Sequence, residues 1–136
     1  MGSLKKMASL PFATFTVQES PFIVRITINH ESGDDKDFKD IIQAFMKIFD
    51  YQQRVAVIID ATSLRVLTKQ NMKDIRHFIK HNRPVFETYL KCSSLIIRSV
   101  LIKNVINTIF KIQPPARPNL IVNSMEEAEK FVNTYQ

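Results

Sequence analysis

The stretch Val55-Ala56-Val57-Ile58-Ile59-Asp60 contains five consecutive apolar residues followed by a carboxylate. An unbroken apolar run of this length is typical of a strand that is buried on both faces, as in a parallel sheet covered by helices. The stretch therefore predicts a central strand of an α/β fold, with Asp60 at the strand end where a loop begins.

The patterns on either side of this strand predict alternating strands and helices. Alternating apolar residues indicate strands, and apolar residues three and four apart indicate amphipathic helices. The predicted elements in chain order are strands 12–17 and 22–29, a helix from about 35 to 50, strand 55–60, a helix over 68–82, strand 95–97, a helix over 99–112, strand 119–122 and a helix after 124. The order β-β-α-β-α-β-α-β-α predicts an α/β domain with a mostly parallel central sheet flanked by helices.

Length and composition indicate one domain. The chain has 136 residues, 45% of them hydrophobic and 24% charged, with a net charge of +6. We expect a flexible tail over residues 1–10 and a single domain over 11–136. No apolar run approaches the length of a membrane helix, and no secretory signal is evident, so the expected location is the cytoplasm.

Few residues are available for catalysis or cofactor binding. Two glycines are too few for glycine-built phosphate loops, and the lone Cys92 is expected to be a buried, unreactive thiol. His77 and His81 are four residues apart on a predicted helix, but the basic residues around them would repel a cation. We expect no metal, no cofactor and no enzymatic activity.

Positive charge is concentrated on the second predicted helix, whereas segments 31–53 and 119–136 have net charges of −3 and −2. The basic residues recur at helical spacing and predict one continuous stripe. They are Lys69, Lys73, Arg76, Lys80 and Arg83. A solvated helix face is the plain interpretation, and an acidic protein or an anionic membrane surface are the functional ones. Nucleic acid is not expected as a partner, because no aromatic residues interleave with the stripe.

The third predicted helix, over 99–112, has more apolar residues than one narrow stripe requires. Most of this surface is expected to belong to the core. The excess has two further interpretations, a homodimer interface or the wall of a lipid pocket.

Three stretches together resemble the STAS domain (sulfate transporter and anti-sigma factor antagonist), in particular small STAS-like proteins that overlap with the CRAL-TRIO lipid-carrier fold. They are residues 55–64 with the strand-end Asp60, residues 95–97, and residues 117–128, where a proline-containing loop leads to a strand and a Glu-Glu-Ala helix. The resemblance implies a STAS-like fold. It also implies binding of a partner protein through the loop after Asp60 and the second helix.

The sequence departs from the family in the loop before the second helix. Anti-sigma antagonists have there a serine that accepts phosphate, but Lys69 occupies the matching position and no glycine follows. Thr68 is expected to cap the helix, and Asp60 to anchor its loop by hydrogen bonds. The leading hypothesis is a non-enzymatic interaction module without a phosphoserine switch. The alternative is a small protein that binds a lipid or another apolar ligand and docks on anionic membranes.

Overall fold

Six strands form one mixed sheet whose spatial order is the chain order, β1 to β6. The computed structural model describes residues 4–136, with side chains from residue 6 onward. Within these residues, five α-helices accompany the strands. The elements are β1 Leu4–Ser9, β2 Ala13–Glu19, β3 Phe22–Ile28, α1 Asp35–Met46, a 3₁₀ turn at Lys47–Tyr51, β4 Val55–Asp60, α2 Lys69–His81, α3 Arg83–Tyr89, β5 Leu90–Ile96, α4 Val100–Ile112, β6 Asn119–Val122 and α5 Met125–Asn133.

The apolar stretch from Val55 to Asp60 is a central strand, β4, as the sequence predicts. β4 pairs in parallel with β3 on one side and β5 on the other, and Val55 to Ile58 are fully buried. β5 and β6 are also parallel, whereas β1, β2 and β3 pair in antiparallel fashion. The α/β class is therefore confirmed, and the sheet is mixed.

Helices cover both faces of the sheet and enclose two separate cores. Val55 and Val57 of β4 point into the larger core with α1 to α4, whereas Ala56 and Ile58 point into the smaller core with α5. Each parallel connection steps to the next strand in the same direction. Connections of one hand then place their helices on one face, which explains why α1, α2 and α4 share the larger core.

The prediction of a tail over residues 1–10 is wrong for Leu4–Ser9, which pairs with β2 as an edge strand. Its register shifts between Lys6 and Ala8. Lysines and an irregular register are tolerated at a sheet edge, where only one side of the strand is hydrogen-bonded. The part of the predicted tail over residues 1–3 lies outside the described residues.

Two further elements differ from the sequence prediction. The second helix ends at His81, and a separate helix, α3, begins at Arg83 with Pro84 in its first turn. Proline is favourable there because the first helical amides have no partner within the helix. Arg83 therefore does not belong to the second helix, and the predicted stripe is interrupted before it. β5 begins at Leu90, several residues earlier than the predicted strand 95–97.

Candidate functional site

A cavity of about 220 Å³ lies in the larger core, between the sheet and helices α1, α2, α3 and α4. Ile75 and Ile79 of α2 face Ile106 and Phe110 of α4 across it, and strand residues such as Val57 contribute to its walls. These positions are the inner apolar stripes of two amphipathic helices. The sequence pattern thus explains why apolar side chains surround this space. These side chains do not fill it.

Three phenylalanines form one rigid side of the cavity. Phe78 of α2 contacts Phe45 of α1 edge to face, with ring centroids 5.3 Å apart, and contacts Phe86 of α3 at 5.2 Å. Phe45 and Phe86 are 6.0 Å apart. Edge-to-face aromatic contacts at these distances are attractive and directional. The cluster fixes three helices relative to one another at the cavity wall.

The cavity wall has few polar side chains, and these form a hydrogen bond with each other. Its two polar residues, Ser93 and Asn119, bond to each other, because the Asn119 Nδ2 donates to the Ser93 Oγ at 2.7 Å. The remaining lining residues are apolar. Since a water molecule needs two to four polar partners to be held in a protein interior, this space suits an apolar molecule better than water.

Asn71 is a buried polar residue in the first turn of α2, with 1% of its surface exposed. Its Oδ1 accepts from the Thr68 amide at 3.0 Å, and its own amide donates to the Thr68 Oγ1 at 3.0 Å. Among the described residues its Nδ2 has no hydrogen-bond partner. Asn71 is not among the functional candidates that the sequence predicts, although its Thr-x-x-Asn spacing with Thr68 is a signal for such a cap.

Asp60 and Thr68 lie at the carboxyl edge of the sheet and perform the structural roles that the sequence predicts. The Asp60 Oδ1 accepts from the Thr62 amide at 3.1 Å and so anchors the loop after β4. Thr68 is the N-cap of α2 in a reciprocal capping box with Asn71. Both side chains thus stabilise the path from β4 into α2.

The structure brings part of the predicted basic stripe together. Lys73, Arg76 and Lys80 are exposed and line an open hollow with His77 of α2 and Gln113, the residue after α4. Lys69 is exposed at the other end of α2, roughly 16 Å from Lys80 at 1.5 Å of rise per residue. The stripe is therefore a helix face rather than one compact site.

Arg83 is engaged in contacts of its own. Its Nε lies 3.4 Å from the Glu87 Oε1, and its guanidinium donates to the Pro114 carbonyl at 3.3 Å. These contacts connect α3 to the segment after α4. Arg83 is half-buried, so it contributes less to the accessible basic surface than the lysines of α2.

The α4 helix divides its apolar residues between the core and the surface. Ile102, Ile106 and Ile109 are buried. Val100 and Leu101 at its start are 70% and 67% exposed. The buried face of α4 agrees with the prediction that most of its apolar surface belongs to the core. The exposed residues are the apolar surface beyond what one buried stripe requires.

The remaining candidate groups lie apart from the cavity. Cys92 is fully buried in the smaller core, and burial raises the pKa of its thiol to about 11. The rings of His77 and His81 stack with centroids 5.3 Å apart, and both side chains are exposed, as predicted. Over residues 4–136, no group of three or more His, Cys, Asp or Glu side chains is placed to hold a metal ion.

None of the helices in the described part of the chain combines the length and the apolar character that crossing a membrane requires. No protein-family model matches the sequence, and a comparison with curated proteins finds no similar sequence.

Proposed function

We propose that this chain is a non-enzymatic binding protein with a STAS-like arrangement, and that it holds a small apolar molecule in the cavity beneath α2 and α4. The observation that carries the proposal is the cavity itself, about 220 Å³ of apolar-lined space in the main core. Protein interiors are normally packed with few voids larger than a water molecule, so a space of this size is unusual for a purely structural core.

The size of the cavity defines the class of ligand. An apolar protein cavity of about 150 Å³ stays dry and binds benzene, so this larger one has room for a bigger molecule. Benzene has six carbons, and the same proportion gives room for roughly nine non-hydrogen atoms in 220 Å³. An empty cavity of this volume costs about 5 kcal/mol in lost packing. A bound chain would recover much of that free energy.

The test compares ligand binding with and without the free space. Native mass spectrometry of freshly purified protein looks for a co-purified apolar molecule, and calorimetry measures the binding of 1-octanol. Ala116 lines the cavity, so Ala116→Phe should occupy the space and weaken octanol binding at least tenfold. Leu120→Phe is the matched control, because Leu120 is exposed and away from the cavity wall.

Two results would contradict the proposal. One is the absence of both a co-purified molecule and octanol binding in the unmodified protein. The other is octanol binding that Ala116→Phe leaves unchanged.

The second candidate function is an interaction module that binds an acidic protein through the loop after Asp60 and the basic face of α2. The exposed Lys69, Lys73, Arg76 and Lys80 favour it, because clustered positive charge attracts acidic surfaces. Binding would be constitutive, since Lys69 replaces the phosphate-accepting serine of the family that the chain resembles. The exposed apolar start of α4 would extend this surface or pair two copies of the chain.

Charge reversal tests the second candidate. Lys69→Glu, Lys73→Glu and Lys80→Glu together should weaken binding of a polyglutamate peptide at least tenfold and reduce its dependence on salt. The control reverses the exposed Lys39, Lys47 and Lys130 on other elements. Equal binding by both triple variants would contradict this function. Binding of phosphatidylserine vesicles but not of the peptide would favour a membrane surface over a protein partner.

A further inference from the structure

We infer that the open hollow beside the C-terminal half of α2 is a binding site for a phosphate group. The hollow lies on the exposed face of this helix, whereas the apolar cavity lies beneath its inner face. The inference therefore goes beyond the proposed apolar-ligand function and does not depend on it. The ligand class is a small phosphorylated molecule that the site holds by its phosphate.

Two elements supply the side chains that line the hollow. Lys73, Arg76, His77 and Lys80 are spaced by three and four residues on α2 and so share one face of the helix. Gln113, the residue after α4, contributes from a second element. The hollow has a volume of about 380 Å³. Since about 150 Å³ holds benzene, there is room for a phosphate group and part of the molecule that carries it.

The charges of the hollow have no protein partner. Lys73, Arg76 and Lys80 each carry a positive charge, and the salt bridges found within residues 6–136 all involve other cations. The single carboxylate of α2, Asp74, accepts from the Gln70 amide at 2.9 Å instead. An anion in the hollow would therefore meet three positive charges that no carboxylate of the described residues neutralises.

A phosphate group matches these donors better than a carboxylate does. A phosphate monoester has a charge of about −1.5 to −2 near pH 7 and three strong acceptor oxygens, and a carboxylate has one charge and two oxygens. The planar guanidinium of Arg76 can donate two parallel hydrogen bonds to phosphate, and the two lysines add point charges. The C-terminal ends of α2 and α4 carry only about half a negative charge each, which three positive charges outweigh.

Lys69 distinguishes a localised site from general attraction by a basic helix face. It is exposed on the same helix but does not line the hollow, and it lies roughly 10 Å along the axis from Arg76 at 1.5 Å of rise per residue. Exposed charges are largely screened beyond the Debye length, about 8 Å at physiological salt. Arg76→Gln and Lys69→Gln therefore remove the same charge from α2, but only the first removes a donor from the hollow.

The experiment measures by calorimetry how the full chain binds pyrophosphate and citrate, a tricarboxylate of similar charge. Pyrophosphate should bind more tightly than citrate. Arg76→Gln should weaken pyrophosphate binding about tenfold, as expected for losing a hydrogen bond to a charged group. Lys69→Gln, the matched control, should change it by less than about twofold. Gln113→Leu should weaken it about threefold with no change in charge, because one neutral donor is lost.

Vesicles separate the two sources of a phosphate group. Arg76-dependent binding of vesicles that contain phosphatidylinositol bisphosphate would assign a lipid headgroup, and binding of pyrophosphate alone would assign a soluble ligand. The absence of pyrophosphate binding, or citrate binding of equal strength, would overturn the inference. Equal losses in Arg76→Gln and Lys69→Gln would also overturn it and would favour the extended basic face of the second candidate function. None of these results bears on octanol binding in the apolar cavity.

Discussion

Gly33 is a residue whose missing side chain matters. A Cβ at this position would lie 2.5 Å from the Phe12 ring, which is itself buried against Phe38 with ring centroids 5.6 Å apart. We expect Gly33→Ala to lower the free energy of unfolding by about 1–3 kcal/mol, the usual effect of overpacking. Denaturant titration checks this value. In a Phe12→Leu background the same change should cost less, and an equal cost in both backgrounds would contradict the steric explanation.

Cys92 predicts a pH dependence of stability. Its folded pKa is raised from 9.0 to about 11 by burial, so the unfolded chain loses the thiol proton at lower pH than the folded chain. Between about pH 9 and 11 the folded state binds more protons, and the free energy of unfolding falls with rising pH, by about 1.4 kcal/mol per pH unit from this group. The contribution is fully present below pH 9.

Cys92→Ala isolates this effect, because lysines and tyrosines titrate in the same range in both proteins. Urea titrations at pH 8, 9, 10 and 11 should show a shallower decline for the variant than for the unmodified chain. Parallel declines would show that the thiol makes no such contribution.

At the scale of elements, the start of α2 depends on one hydroxyl group. The Thr68 Oγ1 accepts from the Asn71 amide at 3.0 Å, and the Asn71 side chain returns a bond to the Thr68 amide. We expect Thr68→Ala to lower the free energy of unfolding by about 1 kcal/mol, whereas Thr68→Ser, which keeps the hydroxyl, should have less effect. Thermal unfolding followed by circular dichroism compares the two, and equal losses would indicate that the hydroxyl is not the stabilising group.

The sequence predicts an element well where its signal is local. β4 is an unbroken apolar run, and α2 and α4 have clear helical periodicity with Thr68 and Ser99 as caps. The last helix also begins as predicted, since the Ser124 Oγ accepts from the Glu127 amide at 3.2 Å. The Ser124 hydroxyl also donates to the Glu127 carboxylate at 3.4 Å.

The missed elements are those whose signal depends on tertiary structure. In β5, Ser94 interrupts the apolar pattern but is fully buried, because its hydroxyl donates to the Leu120 carbonyl at 3.1 Å on β6. A hydrophobic pattern cannot predict that a serine is buried when its hydroxyl group forms a hydrogen bond to a neighbouring strand. β1 is not predicted for the same reason, because its pairing with β2 rather than its own composition makes it a strand.

At the scale of the whole molecule, the cavity lies on one side of the sheet, between the sheet and helices α1 to α4. Small residues, Ala56 and Ala128, are fully buried where α5 meets the sheet. On the cavity side the helices carry large apolar side chains, yet Ala61 and Ala116 in the cavity wall leave space between them. Such a void is a property of packing, so the sequence indicates a wide apolar face on α4 but not the cavity beside it.

This cavity predicts that the stability of the molecule depends on its ligand. A ligand that binds only the folded state at one hundred times its dissociation constant raises the free energy of unfolding by about 2.7 kcal/mol. For a domain of this size that corresponds to a rise in Tm of roughly 10 °C. We expect 1-octanol to raise the Tm of protein stripped of ligand by organic extraction. Ala116→Phe should show a higher Tm without octanol and little further rise with it, because its side chain already occupies the space. Scanning calorimetry of the four samples checks both effects, and an equal rise in both proteins would place the octanol outside the cavity.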